Sequence, residues 1–302
     1  MGKATRVKRE NARERIAAQR AAERRRERRN RMFIAGGSIL GVVVIVVAFL
    51  FFKTLNHGTP ASASSGSAAG TALPASVVKD ITSVPASTLT SVGAGTAGAK
   101  SVTLVSSAKT LTAGGKPEVL YIGAQYCPYC AAERWAMAVA LSRFGTFSGL
   151  SGIHSAGGQE VYPNTATLNF YKTRYTSKYL TFTPVEQETV SEKPLEKTTA
   201  AETALLTKYD SPPYVSSSEQ GAIPFIDFGG KYFVHGAQYD PQVLSSQTWA
   251  QVAAALQDPS SAIAKGVDGA ANMITATICK VTNNQPSNVC TSPVIKSIQG
   301  QL

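Results

Sequence analysis

Met32 to Phe52 is a run of 21 residues without one charge, rich in Val, Ile, Leu and Phe. At about 1.5 Å per residue, a helix of that length crosses a hydrocarbon core of about 30 Å. The run therefore predicts a transmembrane helix over 32–52. A secretory signal peptide is the competing reading: its apolar region is about 7 to 15 residues and its basic region short, and an Ala-x-Ala pair at Ala61 and Ala63 keeps cleavage open. Charge supplies the orientation. Residues 1–31 carry 13 Lys or Arg against 4 Glu and the remainder 17 against 15, so most of the formal net charge of +11 precedes the span. The positive-inside bias predicts a cytoplasmic basic segment, 1–31, and an extracytoplasmic remainder of a single-pass cell-membrane protein. Because the body is close to neutral, no nucleic-acid partner is expected. The basic segment reads as a topology determinant resting on the lipid bilayer.

Behind the span the composition changes. Of the residues from Gly58 to Ser76, all but Leu73 are Gly, Ala, Ser, Thr or Pro, which predicts a flexible linker over 53–76. Val77, Val78, Ile81 and Val84 then fall at helical spacing with Pro85 as a stop, opening one extracytoplasmic domain, 77–302. With 43% apolar and 16% charged residues the chain is too apolar for disorder and too poor in charge for a long coiled coil.

The chemistry is concentrated around Cys127-Pro128-Tyr129-Cys130. Val119 to Ile122 is a short β-favouring apolar run, and beyond Gly123 the period switches to a helical one marked by Trp135 and Val139. Cys127 then lies at the start of a helix with Pro128 in an early position that tolerates the loss of an N–H. Free N–H groups and the helix dipole favour a thiolate there. Cys130, three residues on, is placed to attack a mixed disulfide at Cys127 and release a substrate. A passive structural disulfide and half a zinc site are the alternatives. Zinc needs further ligands, and Cys279, Cys290, His57, His154 and His235 lack the compact spacing of such sites, so no metal and no cofactor is expected. Glu133, one turn beyond Cys130, is a candidate for proton transfer, or a solvated helix residue. Tyr126 and Tyr129 flank the cysteines as candidate substrate-binding residues. In an oxidising compartment Cys279 and Cys290 most simply form a structural disulfide, and a redox relay is the sharper alternative.

Downstream, Gly221-Ala-Ile-Pro-Phe-Ile-Asp-Phe-Gly-Gly-Lys-Tyr-Phe-Val-His-Gly-Ala reads as strand, Gly-Gly turn, strand and glycine, then a helix opened by Asp240 with Pro241 at its first position. Together with the Cys-x-x-Cys this resembles the thioredoxin-like superfamily. Pro224 matches that superfamily's cis-proline, and Ile223 the residue whose backbone pairs with the substrate. Over nearly the whole of residues 76–295 the chain is similar to the membrane-tethered extracytoplasmic proteins of the domain-of-unknown-function 929 family, in Cys127 to Gly149, Val161-Tyr-Pro-Asn-Thr, Tyr179-Leu-Thr-Phe and Ile223-Pro-Phe. The resemblance implies an α/β thioredoxin-like fold with an insertion at about 150–215, where Tyr171, Tyr175 and Tyr179 are core or substrate surface. It also implies a thiol-disulfide oxidoreductase whose partners are thiol- or disulfide-containing client proteins and a membrane or soluble redox partner. An extracytoplasmic site favours formation or isomerisation of disulfides, and a reductant would use the same two cysteines. A non-catalytic binding or assembly module with Cys127–Cys130 as a structural bond is the rival. Catalysis requires the Cys127 sulfur to be partly exposed against Pro224, whereas burial of both sulfurs favours the rival.

Overall fold

Along Lys116–Gly123 side chains alternate between the two faces of a sheet, and from Val119 onward both faces are buried. A strand of this kind needs cover on both sides, and the rest of the fold supplies it. The computed structural model describes residues 67–98, 101–105, 110–217 and 219–302, within a unit spanning Ser65–Leu302. The predicted basic segment, the transmembrane run 32–52 and linker residues 53–66 lie outside the described residues. No helix among the described residues is long and apolar enough to cross a membrane.

In chain order the elements are strand β1 (Thr71–Ala72), helices α1 (Ala75–Thr82) and α2 (Ala86–Val92), strands β2 (Thr103–Leu104), β3 (Thr112–Ala113) and β4 (Lys116–Gly123), helix α3 (Pro128–Ser142), and strands β5 (Gly145–Ser148), β6 (Ser151–His154), β7 (Ala166–Asn169), β8 (Arg174–Ser177) and β9 (Thr181–Glu186). Helix α4 (Ala200–Tyr209), the hairpin β10 (Phe225–Phe228) and β11 (Tyr232–His235), and helices α5 (Trp249–Ala255), α6 (Ala262–Val281), α7 (Ser287–Cys290) and α8 (Pro293–Gln299) follow. This is a mixed α/β architecture. In the main sheet β4 pairs in parallel with β9, Ile122 facing Val185, and antiparallel with β10, Ile122 facing Phe225. Strand β11 continues from β10 and β2 from β11, while β3 pairs with the start of β4. Smaller sheets are formed by β1-β6-β7 and β5-β8.

Val119 and Tyr121 join the larger apolar cluster with α3 and α6. Leu120 and Ile122 join Val105, Val185, Tyr209, Phe225 and Phe233 on the other face, beside Leu205 and Leu206 of α4. Helix α3 is buried almost all round, from Cys130 through Leu141. Its many alanines leave room for neighbours on every side, and the Trp135 indole donates to the Ala166 carbonyl at 3.0 Å. Helix α6 also approaches closely: a Cβ on Gly269 would meet the Ala94 carbonyl oxygen at 2.5 Å. At its end Cys279 and Cys290 form a disulfide with Cα atoms 5.5 Å apart, both residues fully buried.

Two local expectations change. Residues 67–76, read as the end of the linker, are packed: Thr71–Ala72 pairs with Ser151–Gly152, and the Ala68 carbonyl accepts from Gln125 Nε2 at 2.7 Å and Asn169 Nδ2 at 2.9 Å. Small residues carry no apolar signal, and backbone pairing recruits them. Asp240 caps only a four-residue 3₁₀ turn, Pro241–Leu244, and the next helix begins at Trp249 behind a Thr248–Gln251 capping box. Within the stretch expected as an insertion, β9 lies in the main sheet and α4 contributes Leu205, Leu206 and Tyr209 to the cluster on one of its faces.

Because the added methyl of Gly269→Ala meets backbone, the variant loses about 1–3 kcal/mol of stability, despite the about 1 kcal/mol alanine gains in a helix. Denaturant unfolding measures the difference.

Candidate functional site

Strand β4 ends at Gly123, and the chain turns into α3 with Cys127 as its N-cap in extended conformation and Pro128 in the first turn. The backbone N–H of Cys130 donates to the Cys127 sulfur at 3.2 Å, so one of the helix's free donors is spent on that sulfur. The Cys127 Sγ also lies 3.6 Å from the Ile223 carbonyl oxygen, to which its thiol donates. The Ile223–Pro224 peptide bond is cis. Helix start and hairpin entry therefore meet at the Cys127 sulfur, although 96 residues separate them in sequence.

Both cysteines are free thiols, and they differ in environment. Hydrogen bonding from the Cys130 thiol, reinforced by the Cys130 N–H and the positive charge of Arg134, lowers the pKa of Cys127 against the opposing effect of burial. Cys130 is pushed well above the ordinary thiol range, first by burial, then by the hydrogen bond to Cys127 and the charge there. Cys127 retains 5% of its surface and Cys130 none. The arrangement holds one sulfur ready to ionise and the other protonated behind it.

The flanking tyrosines contact the loop between β6 and β7. The Tyr126 carbonyl accepts from Ala156 N at 2.8 Å. Tyr129, 40% exposed, meets Tyr162 edge to face at 5.9 Å, and the Tyr162 hydroxyl donates to Asp240. Of the other tyrosines singled out, Tyr175 is mostly buried and donates to the Leu141 carbonyl, and Tyr179 packs on the main core.

Glu133 is fully buried: its Oε2 accepts from Gln238 N at 3.0 Å and its Oε1 has no hydrogen-bond partner. Burial raises its pKa to about 8. Asp268, buried with both oxygens unpartnered, is likewise raised to about 8. The side chain beside the dithiol is that of the next residue, Arg134, which sequence reasoning passed over. Its Nε and Nη2 each donate to Glu186 at 2.8 Å in a two-point ion pair, and Nη2 also reaches the Ala124 carbonyl at 2.7 Å. The guanidinium lies 5.9 Å from the centre of the Tyr121 ring. Burial works against its charge, and Glu186 outweighs that, raising its pKa further. The available signal was helical spacing: Arg134 is four residues from Cys130, and Glu133 three. Elsewhere, His154 packs on Trp249 and His235 pairs with Asp210. Gly229 of the hairpin turn abuts Val281, so the Cys279–Cys290 bridge, joined to that end of α6, is remote from Pro224 at the hairpin's other end.

Residues 103–280, more than half of the chain, match the family described as Domain of unknown function (DUF929). No curated protein and no solved structure matches the chain.

Glu133 and Asp268 hold protons in the native state that the unfolded chain releases from about pH 4 upward. Their contribution to stability is therefore complete below that pH and lost as pH climbs to about 8. Glu133→Gln makes the fall of unfolding free energy across this window shallower. Arg134→Met, which leaves the Glu186 carboxylate buried and unpaired, costs about 3–5 kcal/mol by the same measurement.

Proposed function

The chain belongs to the DUF929 family, and we propose that it is a membrane-anchored extracytoplasmic thiol-disulfide oxidoreductase of thioredoxin-like fold, acting on cysteines of secreted or membrane proteins. The observation that carries this reading is the asymmetry within one helical turn: a Cys127 sulfur with lowered pKa, hydrogen-bonded by the helix's own N–H, ahead of a buried, protonated Cys130. The fold reading is supported by the order β9-β4-β10-β11, with one parallel and two antiparallel pairings, and by the helix that leaves β4 through the dithiol. The membrane reading rests on the sequence of residues 1–52.

In the reducing direction the Cys127 thiolate attacks one sulfur of a client disulfide. The client S–S bond breaks, and its electron pair leaves on the second client sulfur, which takes a proton from water. Cys130 then gives its proton to water and attacks the Cys127 sulfur, and the first client sulfur departs as a thiolate. The client gains two electrons and Cys127–Cys130 becomes a disulfide. The reverse sequence puts a disulfide into the client, and a membrane or soluble redox partner resets the pair. The backbone of Ile223, next to Pro224, whose carbonyl accepts from the Cys127 thiol, offers a client an added-strand contact at Cys127 once that sulfur ionises. Arg134 is a positioning residue: its fixed charge favours the thiolate at the end of the helix.

The burial of Cys127 favours a second reading, a non-catalytic binding or assembly module whose Cys127–Cys130 pair is a structural bond. The two part on reduction potential, since structural bonds lie below about −300 mV and catalytic ones above. In cells, Cys130→Ser retains clients as mixed disulfides on Cys127. A folded variant that retains none, together with a Cys127–Cys130 potential of the unsubstituted protein in the structural range, overturns the enzymatic reading.

A further inference from the structure

A cavity of about 590 Å³ lies beside the proposed client track. Its lining includes Thr103, Tyr214, Glu219, Phe233 and His235. Phe233 belongs to the cluster on the sheet face that α4 helps to cover, so the cavity opens away from α3. It nonetheless shares backbone with the site: His235 faces Phe225 in the β10–β11 ladder, and Gly236 N donates to the Pro224 carbonyl at 2.8 Å. Glu219 precedes Ile223 by four residues. Phe225, the ladder partner of His235, is two residues from Ile223, so at about 3.3 Å per residue roughly three residues of an extended peptide lead from Ile223 to His235.

Glu219 is the one carboxylate among the described lining residues, and it lies in the field of His235. Asp210 Oδ1 holds His235 Nε2 at 2.8 Å and its Oδ2 accepts from Gly221 N at 2.7 Å, which fixes the imidazole and ties down the loop leading to Pro224. Glu219 is exposed, its carboxylate accepting from the Ser216 hydroxyl at 2.6 Å. No Lys or Arg is among the described lining residues. Tyr214 and Phe233 meet edge to face at 6.0 Å and give the same lining an apolar wall. A carboxylate and aromatic rings lining one cavity suit a side chain with a long apolar stem and a cationic head.

Resting on the oxidoreductase reading, we propose that this cavity receives the Arg or Lys side chain of a client polypeptide, about three residues from the client cysteine engaged by Cys127. The site thereby selects among cysteines by their neighbours, preferring those in basic surroundings.

The test uses the full chain, with its dithiol reduced, and synthetic peptides that carry one cysteine as a mixed disulfide with thionitrobenzoate. The peptides are identical except for Arg, Gln or Glu three residues from the cysteine. The Arg peptide releases thionitrobenzoate about two- to fivefold faster than the Gln peptide, and the Glu peptide more slowly. Glu219→Gln abolishes that ranking, and Glu219→Lys inverts it. Equal rates for the three peptides, or a ranking indifferent to residue 219, overturn the proposal. If no peptide reacts at Cys127, the oxidoreductase reading fails on its own, and the cavity is judged by calorimetric titration with the Arg peptide carrying Ser for Cys. Binding that Glu219→Gln weakens upholds the cationic subsite, and binding indifferent to it, or none, refutes it.

Discussion

The ion pair of Arg134 with Glu186 joins the helix that begins at Cys127 to a strand of the main sheet. Arg134 comes from the helix that begins at Cys127 and Glu186 from the last residue of β9, the strand beside β4; neither has any exposed surface. Taking two such ions out of water is costly, and the geometry answers with a two-point contact and a further bond to the Ala124 carbonyl. A pair of this kind is better understood as fixing register than as adding stability. Slide α3 by one residue and the guanidinium loses all three acceptors. The same fixed charge is what the dithiol feels from behind.

A second buried polar group makes the opposite compromise. Glu133 and Asp268 have no cation against them, and they lie deep enough to stay protonated through neutral pH. Tyr239, buried near both, spends its hydroxyl on the Ala132 carbonyl. On adjacent residues of one helix the fold thus neutralises one carboxyl by protonation and stabilises one guanidinium by pairing.

Much of this was legible because it is local. The β-favouring run ending at Gly123, the change of period after it and Pro128 behind Cys127 mark strand, turn and helix start within a dozen residues. Pro224 and the Gly229-Gly230 turn do the same for the hairpin. What escaped was what long-range packing decides. Nothing in the sequence near Arg134 points to Glu186, and whether residue 133 or 134 faces the dithiol turns on about 100° of rotation around a helix buried on every side. The ordered tail of the apparent linker escaped for a related reason: Ala68, Thr71 and Ala72 contribute carbonyls and N–H groups, which composition does not record.

That tail carries a mechanical consequence. The chain enters the fold through Ala68, whose carbonyl is clasped by Gln125, two residues ahead of Cys127. Tension or torque arriving along the polypeptide from its N-terminal side is therefore delivered almost directly to the turn that presents the sulfur, with no intervening helix to absorb it.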